Sequence, residues 1–267
     1  MTTFGELTGW LDEQYPPASA AAWDRVGVVC GEPDRSLGSV LLTVDVTPAV
    51  VAQARELGAS AIVAHHPLLL RGVHGIDPRH PKGRMVTDLV QWRIGLYCAH
   101  TNADIGPYGT VAALADRLGL REPRPLVPSG DDPASGLGRV GTVEPTTVGD
   151  FAALVADRLP RTAVGVRVAG DPDRAVTTVA VQAGAGDDLF DEARRSGADL
   201  YLTSDLRHHP ASEALCWPES PALLDVAHWA AEWTWLPVLQ QRMADGLGSV
   251  PTVVSDLNTD PWTSRVG

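Results

Sequence analysis

The chain has 267 residues, of which 44% are hydrophobic and 20% charged, and a net charge of −12. It is too long for one ordinary core and short for three, so two domains of roughly equal size are expected. The acidic balance argues against a non-specific grip on nucleic acid or an anionic membrane, and no segment approaches ~18 uninterrupted apolar residues.

Met1 to Trp23 has neither the basic start nor the apolar run of an export signal. Cys30, Cys98 and Cys216 form no CxxC pair, so a disulfide framework or a thiolate zinc knuckle is not expected, and the reduced cytoplasm fits best.

In chain order, Val40 to Val44 reads as a strand. Thr47-Pro48 reads as the N-cap and first position of a helix that stops at Gly58, and Ala61 to Ala64 as a second buried strand. That strand ends in the doublet His65-His66. Residues 83–95 carry Met85, Leu89 and Trp92 at helical spacing, and a strand then runs to His100. Thr101-Asn102 and Gly106-Pro107 predict a loop around Asp104, and Thr110 to Leu118 a helix ended by Gly119. Pro123 to Gly138 reads as a linker. Strands follow at 137–143, 164–168 and 176–181, flanking a helix capped by Thr147. Asp187 starts another helix, and 229–244 is predicted to be the longest one. Trp10, Trp23, Trp217, Trp233, Trp235 and Trp262 are assigned to core or interface packing.

The chain repeats itself. Residues 40–66 and 179–205 both read strand, helix, strand, and the second copy delivers its own doublet, His208-His209. Each copy then has another strand running into a His with a carboxylate four residues on: His100 with Asp104, and His228 with Glu232. The pattern predicts an α/β fold of two similar three-layer α/β domains related by an internal repeat. The first, 1–122, carries His65, His66 and Asp104. The second, 123–267, carries His208, His209, His228 and Glu232, with a metal site between the two.

His65, His66, His100, Asp104, His228 and Glu232 form an imidazole and carboxylate inventory without thiolate, which selects Zn, Mn or Fe. A bridging carboxylate would make the site dinuclear, the usual arrangement for two-metal hydrolysis. His228 and Glu232, four apart, share one face if a helix begins at His228.

The same residues carry a resemblance. His65-His66-Pro67-Leu68-Leu69-Leu70-Arg71-Gly72 resembles the HHPLIF-type segment of the Nif-three-like dinuclear-metal proteins, whose bacterial YbgI and YqfO members bear the label GTP cyclohydrolase I type 2. His100-Thr101-Asn102-Ala103-Asp104 is similar to their HTNLD, Trp23-Asp24-Arg25-Val26-Gly27 to WDNVG, and residues 225–232 to DxGHxxxE. Thr203 to His209 resembles TGEMKHH, with Ser204, Asp205 and Arg207 in place of Gly, Glu and Lys. The resemblance implies two divalent ions per chain (Zn, Fe or Mn) on His65, His66, Asp104, His228 and Glu232, with the Glu bridging. That leaves His100 a supporting or proton-handling role. Arg207, His208 and His209 read as a wall that receives an anionic substrate group or else as structural hydrogen-bonding residues, with Arg71 and Thr101 as further substrate contacts and His208 and His209 as alternative proton shuttles. The resemblance also implies a hexamer enclosing a cavity, which restricts substrates to small molecules or exposed ends, and residues 123–138 leave no room for the domain some members insert.

The function implied is a metal-dependent hydrolase acting on a small nucleotide-like or phosphorylated substrate. The alternatives are a metal carrier or insertase, whose ions are cargo, and a regulatory hexameric scaffold without turnover.

Overall fold

The structure, a computed structural model, describes residues 1–130, 132–248 and 250–266. In chain order the elements are α1 (Phe4–Gln14), β1 (Gly27–Cys30), β2 (Val40–Thr43), α2 (Pro48–Glu56), β3 (Ala61–Ala64), α3 (Pro81–Gln91), β4 (Gly95–Cys98), α4 (Thr101–Ile105) and α5 (Thr110–Leu118). They continue with β5 (Arg121–Pro128), β6 (Gly136–Thr147), α6 (Val148–Arg158), β7 (Val166–Ala169), β8 (Ala175–Ala185), α7 (Phe190–Arg195) and β9 (Leu200–Ser204). Last come α8 (His208–Ala214), β10 (Ala222–Val226), α9 (His228–Trp233), α10 (Trp235–Leu247) and β11 (Thr252–Val254).

Two compact units result, one of residues 1–103 with 236–259, the other of 104–235 with 260–267. The seam expected near residue 123 falls within β5. The stretch expected as a linker is instead a hairpin: β5 pairs antiparallel with β6, so its four prolines sit along or beside a strand at the edge of the sheet formed by the described residues.

In the first unit the strand order is β1-β4-β3-β2-β11. β4, β3, β2 and β11 run parallel, and β1 closes the edge antiparallel. Alternation divides the side chains between the two faces of the sheet. Leu41, Ile62, Ala64, Leu96 and Cys98 pack with Val50, Val51 and Ala54 of α2 and Met85, Val86 and Leu89 of α3. On the other face the Tyr97 hydroxyl donates to Asp12 of α1 at 2.7 Å, and Gln240 of α10 donates to the Thr252 carbonyl at 2.8 Å. Three layers follow, with α2 and α3 on one side and α1 and α10 on the other.

The second unit has the order β5-β6-β8-β9-β10-β7, in which β8, β9 and β10 are parallel. β7 lies antiparallel beside β10 as β1 lies beside β4. Val179, Val181, Leu200, Leu202 and Leu224 pack against α5, α6 and Ala231 of α9. Ala180, Tyr201 and Leu223 pack on the opposite face with Ala193 of α7 and Ala211 of α8. This unit is also three-layered.

The caps read from sequence hold: the Thr47 and Thr147 side chains accept from the Val50 and Asp150 amides. The helix expected over 229–244 is divided at Thr234. Pro237 has no N–H to give the Trp233 carbonyl four residues back, which favours a break there. Of the tryptophans assigned to packing, Trp235 is fully buried, whereas Trp23, Trp217 and Trp262 are exposed.

Candidate metal centre

His65 and His66 lie just past the last residue of β3, at the carboxyl end of a parallel sheet, where α/β proteins place their chemistry. Their amides donate to the carbonyls of Thr43 (3.1 Å) and Val44 (2.9 Å), so the ladder with β2 carries on into the doublet. The two rings converge, with centroids 5.0 Å apart, and His100 past the end of β4 stands 5.1 Å from His65 and 5.5 Å from His66. One ligand atom from each of the three lies within 4.8 Å of the others, so the group could hold a metal ion.

The hydrogen bonds of the rings identify those atoms. Nδ1 of the fully buried His65 is 2.8 Å from the Ala99 carbonyl oxygen. A carbonyl only accepts, so Nδ1 carries the proton and the lone pair of the neutral ring is on Nε2. His66 Nδ1 faces Asp45 Oδ1 at 2.7 Å, and His100 Nδ1 faces Asp24 Oδ1 at 2.9 Å. Each imidazole thus offers Nε2, the arrangement by which an outer oxygen fixes the tautomer of a metal-binding histidine.

Asp24 is buried, and its second oxygen accepts from the Thr101 amide (3.0 Å) and hydroxyl (2.6 Å). Burial alone would raise its pKa, but the hydrogen bonds from His100 and Thr101 outweigh that and hold it below the ordinary carboxylate value. The same carboxylate explains why 101–105 is the short helix α4 and not the expected loop. Asp24 satisfies a first-turn donor from 77 residues away, a cap that no local pattern announces.

In the second unit, His228 opens α9 and Glu232 follows one turn later, so both leave one helix face, with Nε2 and Oε1 2.8 Å apart. His228 Nδ1 is 2.6 Å from Asp205 Oδ2. Asp205 reaches that position from a left-handed backbone (φ +58°), which Asp tolerates better than most residues. Glu232 is 2% exposed, and burying its charge is costly unless cations stand beside it. Gly184, near the end of β8, makes room for this pair. Its φ is +77°, and a Cβ there would sit 2.7 Å from Glu232 Oε1 and 3.0 Å from His228 Nε2.

Asp104 is also buried and accepts from the Thr110 hydroxyl at 2.5 Å. His208 and His209 begin α8 as exposed residues with ring centroids 5.1 Å apart. Arg207 forks onto Asp187 through Nε (2.8 Å) and Nη2 (2.5 Å), Arg71 is exposed, and the Thr101 hydroxyl both donates to Asp24 and accepts from the Ala21 amide.

Asp24 and Asp205 lie inside the motifs that carry the resemblance but have no role assigned there, and Asp45 and Gly184 lie outside them. The only available signal for Asp45 was its place just beyond the carboxyl end of β2.

Fold and site define an α/β protein with imidazole groups that could hold a metal ion. A family model described as DUF34/NIF3 (NGG1p interacting factor 3) matches residues 2–261, and the chain belongs to that family. It is 47% identical to a GTP cyclohydrolase 1 type 2 homolog of Streptomyces coelicolor, over all of this chain and 95% of the relative. A protein of the same name from Clostridium perfringens is 33% identical, over 96% of this chain and 97% of the relative. Among solved structures, a hypothetical protein of Staphylococcus aureus superposes with a TM-score of 0.89 at 26% identity, covering 99% of both chains.

Proposed function

We propose that the chain is a divalent-metal-dependent hydrolase for a small nucleotide-like or phosphorylated substrate. Its ligand set is His65, His66, Asp104, His228 and Glu232, serving one dinuclear centre of Zn, Fe or Mn. The observation that carries this reading is shared by His65, His66 and His228: each has Nδ1 within hydrogen-bond distance of an oxygen, the arrangement that orients Nε2 as the ligand atom of a metal-binding histidine. The hard and borderline donors fit such ions, and divalent charge would offset the buried carboxylate of Glu232. The relatives' shared name favours hydrolysis over carriage of the ions as cargo.

When bound, two divalent ions supply Lewis acidity and a nucleophile at neutral pH. The chain's own residues do the rest. His100, with Nδ1 occupied by an ionised Asp24, is able to take or give a proton at Nε2. Arg71 and Arg207 are solvent-facing cations suited to an anionic substrate group, and His208 and His209 are second candidates for moving a proton. Among the described residues no helix is long and apolar enough to cross a membrane. The hexamer is proposed on family resemblance, and light scattering reads it directly.

The test is metal content per chain by plasma mass spectrometry, on protein purified without chelators or a His tag, followed by turnover on a nucleotide panel. About two ions per chain, with turnover lost in Glu232→Gln, is the expected result. Fewer than about one ion, with no uptake when Zn, Mn or Fe is offered, overturns the ligand set. Two readily exchanged ions without turnover overturn the hydrolase in favour of a carrier.

A further inference from the structure

Trp23 is 61% exposed, although its neighbour Asp24 is only 5% exposed. Exposing an indole forgoes burial of a large apolar surface, and a segment that simply failed to pack would be loosely held. This one is fastened on both sides. The Ala21 amide donates to the Thr101 hydroxyl at 2.9 Å, the Asp24 amide closes a turn onto the Ala21 carbonyl at 2.9 Å, and the Asp24 carboxylate takes hydrogen bonds from Thr101 and His100. The indole is therefore held out from an ordered turn. It stands edge-to-face against the His100 ring, with centroids 5.9 Å apart and planes at 78°. His100 in turn belongs to the cluster with His65 and His66.

We infer that Trp23 is a stacking platform for a planar heterocycle, placed at the rim of the imidazole cluster so that a ring bound on it is presented to that cluster. The inference deepens the proposed function, on which it rests, by naming the substrate feature that is recognised. An aromatic face accepts any flat π-system, so the platform supplies affinity and position. The imidazoles beside it bear on the groups attached to the ring.

Isothermal titration of the full-length, metal-replete protein with GMP and with ribose 5-phosphate tests this. GMP is expected to bind at least about tenfold more tightly than ribose 5-phosphate, since stacking on one aromatic side chain is worth roughly that factor or more. Trp23→Ala should lose about tenfold for GMP and nothing for ribose 5-phosphate, while Trp23→Phe, which keeps a ring face, should stay within about threefold of wild type. Unchanged metal content in both variants shows that the cluster has survived. Equal GMP affinity in wild type and Trp23→Ala overturns the platform. So does a Trp23→Ala variant whose only change is its oligomeric state by light scattering, since that marks a subunit contact. If GMP does not bind to protein carrying its ions, the platform falls and the dinuclear reading stands. If GMP binds through Trp23 to protein that takes up no metal, the reverse holds.

Discussion

Asp45 divides its carboxylate between two partners: Oδ1 faces His66 Nδ1 at 2.7 Å, and Oδ2 accepts from the Thr259 hydroxyl at 2.5 Å. The imidazole is thereby oriented from behind by a group that the C-terminal segment itself holds in place. Asp45→Asn keeps an acceptor but removes the negative charge behind the His66 ring. It is expected to weaken metal binding by about 10- to 100-fold, with little change in thermal stability. Competition against a chelator of known affinity reads the first quantity and a thermal melt the second. Wild-type affinity in the variant would remove Asp45 from the metal site.

Gly184→Ala adds one methyl group where the backbone is left-handed and Glu232 Oε1 is 2.7 Å away. The conformation costs about 1–2 kcal/mol for a residue with a Cβ, and the contact pushes the Glu232 carboxylate or the His228 ring aside. A fall in Tm of roughly 2–8 °C is expected, together with impaired metal retention. If stability falls and retention does not, the contact is relieved elsewhere and Gly184 serves the backbone alone.

Arg139 is 3% exposed, and its guanidinium donates to the carbonyls of Gly136 (2.6 Å), Gly138 (2.8 Å), Gly106 (3.1 Å) and Ala134 (3.1 Å). Burial pulls its pKa down to about 10. It ties the β5–β6 hairpin to the backbone just after Asp104. Arg139→Met strands several buried acceptors at once and should cost about 3 kcal/mol or more. Arg139→Lys should recover only part of this, because an ammonium cannot span the same fork. Denaturant melts of both variants check the order; equal loss in the two would mean that the fork geometry does not matter.

The cysteines should separate by reactivity. Burial pushes the Cys98 thiol up to about 12, whereas Cys216 is exposed. Thiolate is the reactive form, so at pH 8 a disulfide reagent should label Cys216 in the native protein and reach Cys98 only after unfolding. As pH rises, Cys98 remains a thiol until its own pKa is approached. Rapid native labelling of Cys98 would contradict its place under the α2 and α3 layer.

The parallel strands, Thr caps and both His doublets were legible because each is written in a few adjacent residues. What was hidden lay at long range. Asp24 caps α4 from another part of the chain, and Asp205 reaches His228 across 23 residues. The proline-rich β5 resembled a linker because its pairing with β6 is a tertiary fact that composition does not record. That Trp23 is not in the core was hidden for a related reason. Residue type predicts burial on average, and the hydrogen bonds that hold this turn in place while its indole stays exposed come from Thr101 and His100.

β11 pairs with β2, setting Thr252 against Val40 and Val254 against Leu42, so the first sheet is completed by residues synthesised after 104–235 of the second unit. As the chain leaves the ribosome, Val40-Leu41-Leu42, fully buried in the finished protein, waits as an uncovered apolar edge while the residues of the second unit emerge. An open edge of this kind is a template for pairing with another chain. Molecules that stall or are clipped before β11 are therefore the ones expected to aggregate or to engage chaperones, and β11 protects the solubility of the strand it covers.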